Sequence, residues 1–281
     1  METRVSSATG EVIIGDGRPT ALIGERINPT GKKKLAKALQ DGDLKLVQEE
    51  AIAQVQAGAD ILDINVGAAG LDEIALLPQA VQAVMDVVDV PLCLDSTNPR
   101  ALEAALKVYQ GKALINSVSG EERFMDKVLP LVKEYGAAVI GLTMDEEGIP
   151  NDPDRRLVIA HKIVKRAEAM GIPRENVVID CLALTVGADA NAGLVTVEAI
   201  RKVKAELEVN MTLGASNISF DLPDRNLLNN AFLAIAIAAG VTCPIVDVVK
   251  ACPAILAADL VLGRDPYAMR YIKAYRQRQK R

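Results

Sequence analysis

Eight short β-branched runs alternate with eight longer segments of 3.6-residue apolar periodicity, and no composition break interrupts them over 281 residues. That alternation predicts an α/β fold, a single-domain TIM (β/α)8 barrel spanning 1–281. Seven of the eight runs close on an amide or a carboxylate: GERIN (24–28), DIN (63–65), LDSTN (94–98), INS (115–117), TMD (143–145), VID (178–180) and GASN (214–217). The loops that follow barrel strands carry the chemistry, so these tips together form one polar floor and the candidate site.

The units follow in order. ALIGERIN precedes a helical stretch reaching about residue 57, ADILDINVG precedes 72–89, and PLCLDST precedes 99–109. ALINSVSG leads into 121–135, AAVIGLTMD into 154–170, and VVIDCLALT into 190–207. NMTLGASNIS leads into 224–239 and CPIVDVV into 251–262, with a further helix at 265–279. Asn98 before Pro99 reads as an N-cap with proline at the first helical position, and Leu102, Ala105, Leu106 and Tyr109 then share a face. Ser119 with Glu122 has capping-box spacing, and Asp152 before Pro153 opens the fifth barrel helix. These capping residues are therefore set aside as site candidates.

Composition narrows the function classes. Half of the residues are hydrophobic and a quarter charged, the balance of a globular chain with a large core. Lys plus Arg is 32 against 37 for Asp plus Glu, a formal charge of −5, so nucleic acid is not an expected partner. The YIKAYRQRQKR tail reads as a last helical turn whose cations face solvent and the negative end of the helix. METRVSSATG lacks the basic-then-apolar plan of a signal peptide, and the longest apolar run, AFLAIAIAAGV, is too short to span a membrane. A cytoplasmic location is expected. Cys93, Cys181, Cys243 and Cys252 have no C-x-x-C spacing and read as small core hydrophobes rather than a disulfide or zinc set.

The lone histidine, His161, sits mid-helix beside a Leu157, Ala160, Val164 stripe, which argues for a structural role and against a histidine-dependent triad or a two-histidine metal site. G-x-G-x-x-G, G-x-S-x-G and G-x-x-x-x-G-K-[ST] are all absent. What recurs is Asp, Glu, Asn and Ser. A carboxylate accepts from two adjacent N–H groups and an amide both donates and accepts, so this set suits a neutral planar heterocycle such as a pterin. A strand-end carboxylate can also serve the backbone alone, by accepting N–H bonds from the next loop. Six or seven at one barrel end go beyond that use.

GADILDINVG, LDSTNPRALEAAL, ALINSVSGE, VIDCLALTV and LGASNISFDLP, in that order and spacing, resemble the pterin-binding methyltransferases that move a methyl group between tetrahydrofolate and a corrinoid protein. The likeness runs from Ile23 to about Leu262, and GERIN and LTMDEEGIP are similar to the stand-alone bacterial members. It implies Asp95, Asn116 and Asp180 as anchors of the pterin ring and Asn217 as the catalytic amide that reaches N5. Gly214 and Ser216 would shape the loop around the ring, Arg225 would lie near the folate's acidic tail, and Glu25 would belong to the same site. Phe220 stands where acetogen-type members have a glutamine, a departure in the N5 hydrogen-bond network.

The resemblance further implies (methyl)tetrahydrofolate as substrate, a cobalamin-type corrinoid carried by a partner protein, a homodimer, and no metal held by this chain. Co(I) attack on the methyl carbon expels a secondary amine, which must gain a proton. An amide that bonds protonated N5 more strongly than the ground state would favour that transition state. Two other readings stay open. Dihydropteroate synthase shares the GADILDI and LDST-like words, although NPTGKKK replaces the loop expected after its first strand; the other is a non-catalytic pterin-binding adaptor barrel.

Overall fold

In the computed structural model, residues 1–279 are described. The chain opens with an antiparallel hairpin, β1 (Glu2–Ser6) and β2 (Glu11–Gly15), which the sequence reading does not anticipate. It lies across the N-terminal end of the barrel: Val5 and Ile14 join the apolar barrel interior, and Asn210 Nδ2 donates to Thr3 Oγ1 and to the Ile14 carbonyl. Tyr109 Oη donates to the Ser6 carbonyl on the same side.

Eight parallel strands follow: β3 (Ile23–Ile27), β4 (Ile61–Asn65), β5 (Leu92–Asp95), β6 (Leu114–Ser119), β7 (Ala138–Leu142), β8 (Val177–Asp180), β9 (Asn210–Thr212) and β10 (Ile245–Val246). They pair in chain order, β10 returns to β3, and a parallel Gly214–Ile245 bridge joins the end of β9 to β10. The TIM barrel predicted from the alternation is the observed architecture. Its helices are α1 (Lys33–Gln40), α2 (Lys45–Ala57), α3 (Glu73–Met85), α4 (Pro99–Val108), α5 (Glu122–Tyr135), α6 (Pro153–Ala169), α7 (Ala192–Leu207), α8 (Arg225–Ala239), α9 (Val248–Val261) and α10 (Met269–Arg278).

Several boundaries differ from expectation for local reasons. The stretch before residue 57 is two helices, broken where Gly42 takes φ +70°. The expected helix over 265–279 is a 3-10 turn followed by α10, because Tyr267 and Ala268 have positive φ. Ser119 ends β6 and is not a helix cap: Glu121 holds the cap position of α5, and Ser119 Oγ accepts instead from the Glu121 N–H. Asn98 and Asp152 do cap α4 and α6, accepting from Arg100 N and from the Asp154 and Arg155 amides. Arg276 and Arg278 of the basic tail lie on exposed α10, whereas Lys280 and Arg281 fall outside the described residues. His161 bridges helices, its Nε2 3.2 Å from Glu206 Oε2. All four cysteines are free, three of them buried. No helix among the described residues is long and apolar enough to cross a membrane.

Strand alternation sets up the site. Ile23, Ile61, Cys93, Leu114, Ile140, Val178, Cys243 and Ile245 fill the barrel interior in one apolar cluster. Two residues further along each strand the inward position recurs. On seven of the eight strands β3–β10 that upper inward layer is polar: Glu25, Asp63 with Asn65, Asp95, Asn116, Asp180, Thr212 and Asp247. The exception is β7, where Leu142 takes the place.

Candidate functional site

Three upper-layer residues stand in direct register, Asn65 beside Asp95 beside Asn116. Asn65 Nδ2 donates to Asp95 Oδ2 at 2.8 Å, and Asn116 Nδ2 donates to Asp63 Oδ1 at 3.1 Å. Across the barrel, Asp180 Oδ1 accepts from Leu182 N at 2.6 Å and its Oδ2 from Gly214 N at 3.3 Å. Gly214 therefore contributes its amide. Space alone does not demand glycine there, since an added Cβ would lie 3.6 Å from Asn217 Nδ2, an ordinary contact.

Burial raises the pKa of each of these carboxyls. It pushes Asp95 up to about 6, against the Asn65 hydrogen bond and with some help from the Glu73 charge. It pushes Asp180 up to about 6, against the Leu182 and Gly214 amides and the Arg156 charge. Asp63 is raised well above the carboxylate range by burial and then by the neighbouring Asp95 charge, with the Asn116 amide opposing. All three are thus harder to ionise than an exposed carboxyl, each chiefly through burial. Asp95 Oδ1 has no donor among the described residues, so it remains an acceptor for a ligand N–H.

A cleft of about 470 Å³ opens beside this layer, lined among others by Glu25, Lys32, Ser216, Asn217, Phe220 and Asp247. One wall is a 3-10 turn, Ala215–Ser219, which carries Asn217. The Asn217 side chain is half-buried, lines the cleft and makes no hydrogen bond among the described residues. Glu25 accepts from Ser216 Oγ at 2.9 Å. Burial raises its pKa, the Ser216 bond opposes that rise, and the Asp247 charge adds to it. Arg225, expected near a substrate tail, does line the cleft. Its guanidinium is also committed to the turn: Nη2 donates to the Ser216 carbonyl at 2.8 Å, Nε donates to Ser219 Oγ at 3.0 Å, and the group stacks 4.9 Å from the Phe220 ring centre. A second cleft of about 350 Å³, lined by Asn65, Glu73, Ser96 and Thr97, shares Thr30 with the first.

Every site residue anticipated from the sequence lies at this barrel end. Asp63 and Asn65 of the DIN tip join the layer, and Lys32 and Asp247 are additions that the structure makes. The parity of DIN after inward Ile61 points to both Asp63 and Asn65, and the parity of CPIVDVV after Ile245 points to Asp247. Lys32 carries no such signal. Its Nζ folds back to donate to the Arg26 carbonyl at 2.6 Å, while Arg26 pairs with Glu50 and Asp247.

The family model described as pterin binding enzyme matches residues 24–247. A methylcorrinoid:tetrahydrofolate methyltransferase of Eubacterium limosum is 32% identical over 266 residues, covering 91% of this chain and 96% of its own. The methionine synthase of Mycobacterium tuberculosis is 33% identical over 265 residues, 90% of this chain but 22% of that enzyme. Among solved structures, Yersinia pestis dihydropteroate synthase with a pterine-sulfa conjugate aligns with a TM-score of 0.72 at 18% identity, over 92% of this chain and 98% of its own. The dihydropteroate synthase of Thermus thermophilus aligns with a TM-score of 0.66 at 20% identity, over 92% of this chain and 99% of its own. At such identities the likeness to the solved structures is one of fold.

Proposed function

The chain belongs to the pterin-binding enzyme family, and from that premise we propose that it transfers a methyl group between N5 of tetrahydrofolate and the cobalt of a corrinoid carried by a separate protein. One observation carries the reading: a side-chain amide without a protein partner among the described residues, Asn217, on the wall of a cleft beside a layer of hydrogen-bond acceptors and donors. The near end-to-end match to the Eubacterium limosum methyltransferase, at 32% identity, favours it over the dihydropteroate synthases, which are matched at 18% and 20%.

The donor set fits a pterin. Asp95 and Asp180 accept from the ring's N–H and amino groups, and Asn116 both donates and accepts. Asp63 keeps Asn116 turned toward the ring by accepting from its amide at 3.1 Å. Asn217 acts on N5. It is no acid, but its carbonyl accepts from the N5–H formed when N5 takes up a solvent proton as the methyl group leaves, which lowers the transition state more than the ground state. The corrinoid supplies the methyl-accepting or methyl-donating metal from the partner's side, and the same contacts serve either direction.

A homodimer is part of the proposal. α8 is apolar on both faces: Phe232, Leu233, Ala236 and Ile237 face the barrel, while Leu227 (65% exposed) and Ile235 (51% exposed) face outward. An apolar outer face suits a self-complementary two-fold contact. Sedimentation of the wild type and of Ile235→Glu tests it, with loss of a dimer expected in the variant.

The assay for the main reading mixes the protein with methyltetrahydrofolate and a reduced corrinoid acceptor. In parallel, p-aminobenzoate and a pterin pyrophosphate are supplied. Methyl transfer without dihydropteroate formation is expected; the opposite pattern would overturn the reading.

A further inference from the structure

Arg156 lies on α6, away from the cleft, and is completely buried. A cation is costly to bury unless its donors are used, so its partners disclose its purpose. Nε donates to the Pro150 carbonyl at 2.8 Å. Nη1 donates to the Cys181 carbonyl at 2.6 Å, the Leu182 carbonyl at 2.9 Å and Thr196 Oγ1 at 3.2 Å. Nη2 is buried with no partner among the described residues, so the site forgoes one donor to keep the others aimed at residues 181–182.

Those carbonyls belong to the segment that leaves β8. The Cys181 carbonyl and the Leu182 N–H are the two ends of one peptide unit, which is planar, so an oxygen fixed on one edge fixes the N–H on the other. That N–H is the one donated to Asp180 Oδ1 at 2.6 Å. Leu182 itself takes φ +56°, a conformation a leucine holds only when its surroundings impose it. Thr196 Oγ1 adds a donation to the Leu182 carbonyl at 3.1 Å.

We propose that Arg156 is a positioning residue for Asp180, locking the 181–182 peptide so that the Leu182 N–H holds the carboxylate in its ligand-accepting orientation. This rests on the reading of Asp180 as a pterin anchor. The groups acting on Asp180 are the Leu182 and Gly214 amides and the Arg156 guanidinium, and its charge in turn reaches the thiols of Cys181 and Cys243. Removing Arg156 takes away a cation and loosens a donor, so both effects raise the pKa of Asp180.

The test has two arms. The first follows the Asp180 carboxyl carbon by NMR against pH in wild type and in Arg156→Met, which fills the volume without donors; Arg156→Lys, which restores one donor, serves if the methionine variant does not fold. An upward shift of Asp180 in the variant, smaller with lysine, is expected, and an unchanged titration overturns the latch without any reference to folate. The second measures methyltetrahydrofolate affinity for wild type, Arg156→Met, Asp180→Asn and the double variant. A loss of about tenfold in Arg156→Met that disappears in the Asp180→Asn background is expected, since residues acting through one another are non-additive. Additive losses contradict the proposal and leave the pterin reading intact. A wild type that binds no folate sinks the pterin reading, while the first arm still decides the latch.

Discussion

The side-chain amide of Asn116 on β6 donates to the carboxyl of Asp63 on β4 at 3.1 Å, reaching past the strand that separates them. Burial and then the Asp95 charge raise the Asp63 pKa, and the contact works as a clamp that sets which way Asn116 presents its two ends. Asp63→Ala should leave that amide unpaired in a buried layer and lower stability by about 1–3 kcal/mol, with weaker folate binding. Asp63→Asn, which keeps an acceptor, should cost less. Denaturant midpoints of the two variants measure the difference, and equal losses would argue against the clamp.

Asp95 and Asp180 are both raised to about 6 by burial, which makes protonation the favoured state in the fold compared with the unfolded chain. Between the ordinary carboxylate range and about pH 6 the native state therefore binds more protons than the unfolded one. Their contribution destabilises progressively as pH rises through that window and is level above it. Ligand binding has the opposite sign, because pterin N–H groups need ionised acceptors. Folate affinity should be flat above roughly pH 7 and fall below about pH 6. Isothermal titration from about pH 5 to about pH 8 checks this, and an affinity independent of pH would remove both carboxylates from ring recognition.

Asp95→Asn should weaken folate binding by roughly 1.5–3 kcal/mol, the scale of a lost charge-assisted hydrogen bond in a buried site. The Asn65 amide that now donates to Asp95 Oδ2 would face a neutral partner as well. Wild-type affinity in a direct titration would take Asp95 out of the site.

Stability at the opposite end of the barrel depends on Asp259. It is fully buried, accepts from Thr20 N at 2.8 Å and Thr20 Oγ1 at 2.6 Å, and pairs with Arg264 and Arg270. Asp259→Ala leaves these donors uncompensated and should cost about 3 kcal/mol, the low end for a broken buried pair since Arg270 is a third exposed. Thermal unfolding of the variant measures the loss. Methyl transfer at low temperature should be unaffected, which separates a fold lock from a site residue.

Much of the barrel and its floor is legible in the sequence because a buried parallel barrel has a strict period of two. The runs ending in DIN, LDST, INS and VID announce both strand and candidate site at once, and Asn98 and Asp152 announce their helices through a cap followed by proline. The failures have physical causes. Ser119 mimics a capping box but sits within β6, where strand pairing to Leu142 outweighs the local spacing. Spacing alone leaves Asp180 open between a backbone acceptor and a ligand acceptor, and its two oxygens do take the Leu182 and Gly214 amides. Charge alone describes Arg225 poorly, since its geometry depends on Phe220 and the Ser216 carbonyl, a three-dimensional arrangement with no local signature. Arg156 is invisible for the same reason: it is one arginine in a charged helical stretch until the packing of α6 on α7 and β8 buries it.

Asn217 bears the central claim. Single-turnover reaction of the protein with methyltetrahydrofolate and Co(I) cobalamin, followed by loss of the Co(I) absorption, compares wild type with Asn217→Ala at saturating folate. The account predicts methyl transfer by the wild type and a rate lower by roughly 10²-fold in the variant, with folate affinity nearly unchanged. An equal rate in the two proteins would contradict it.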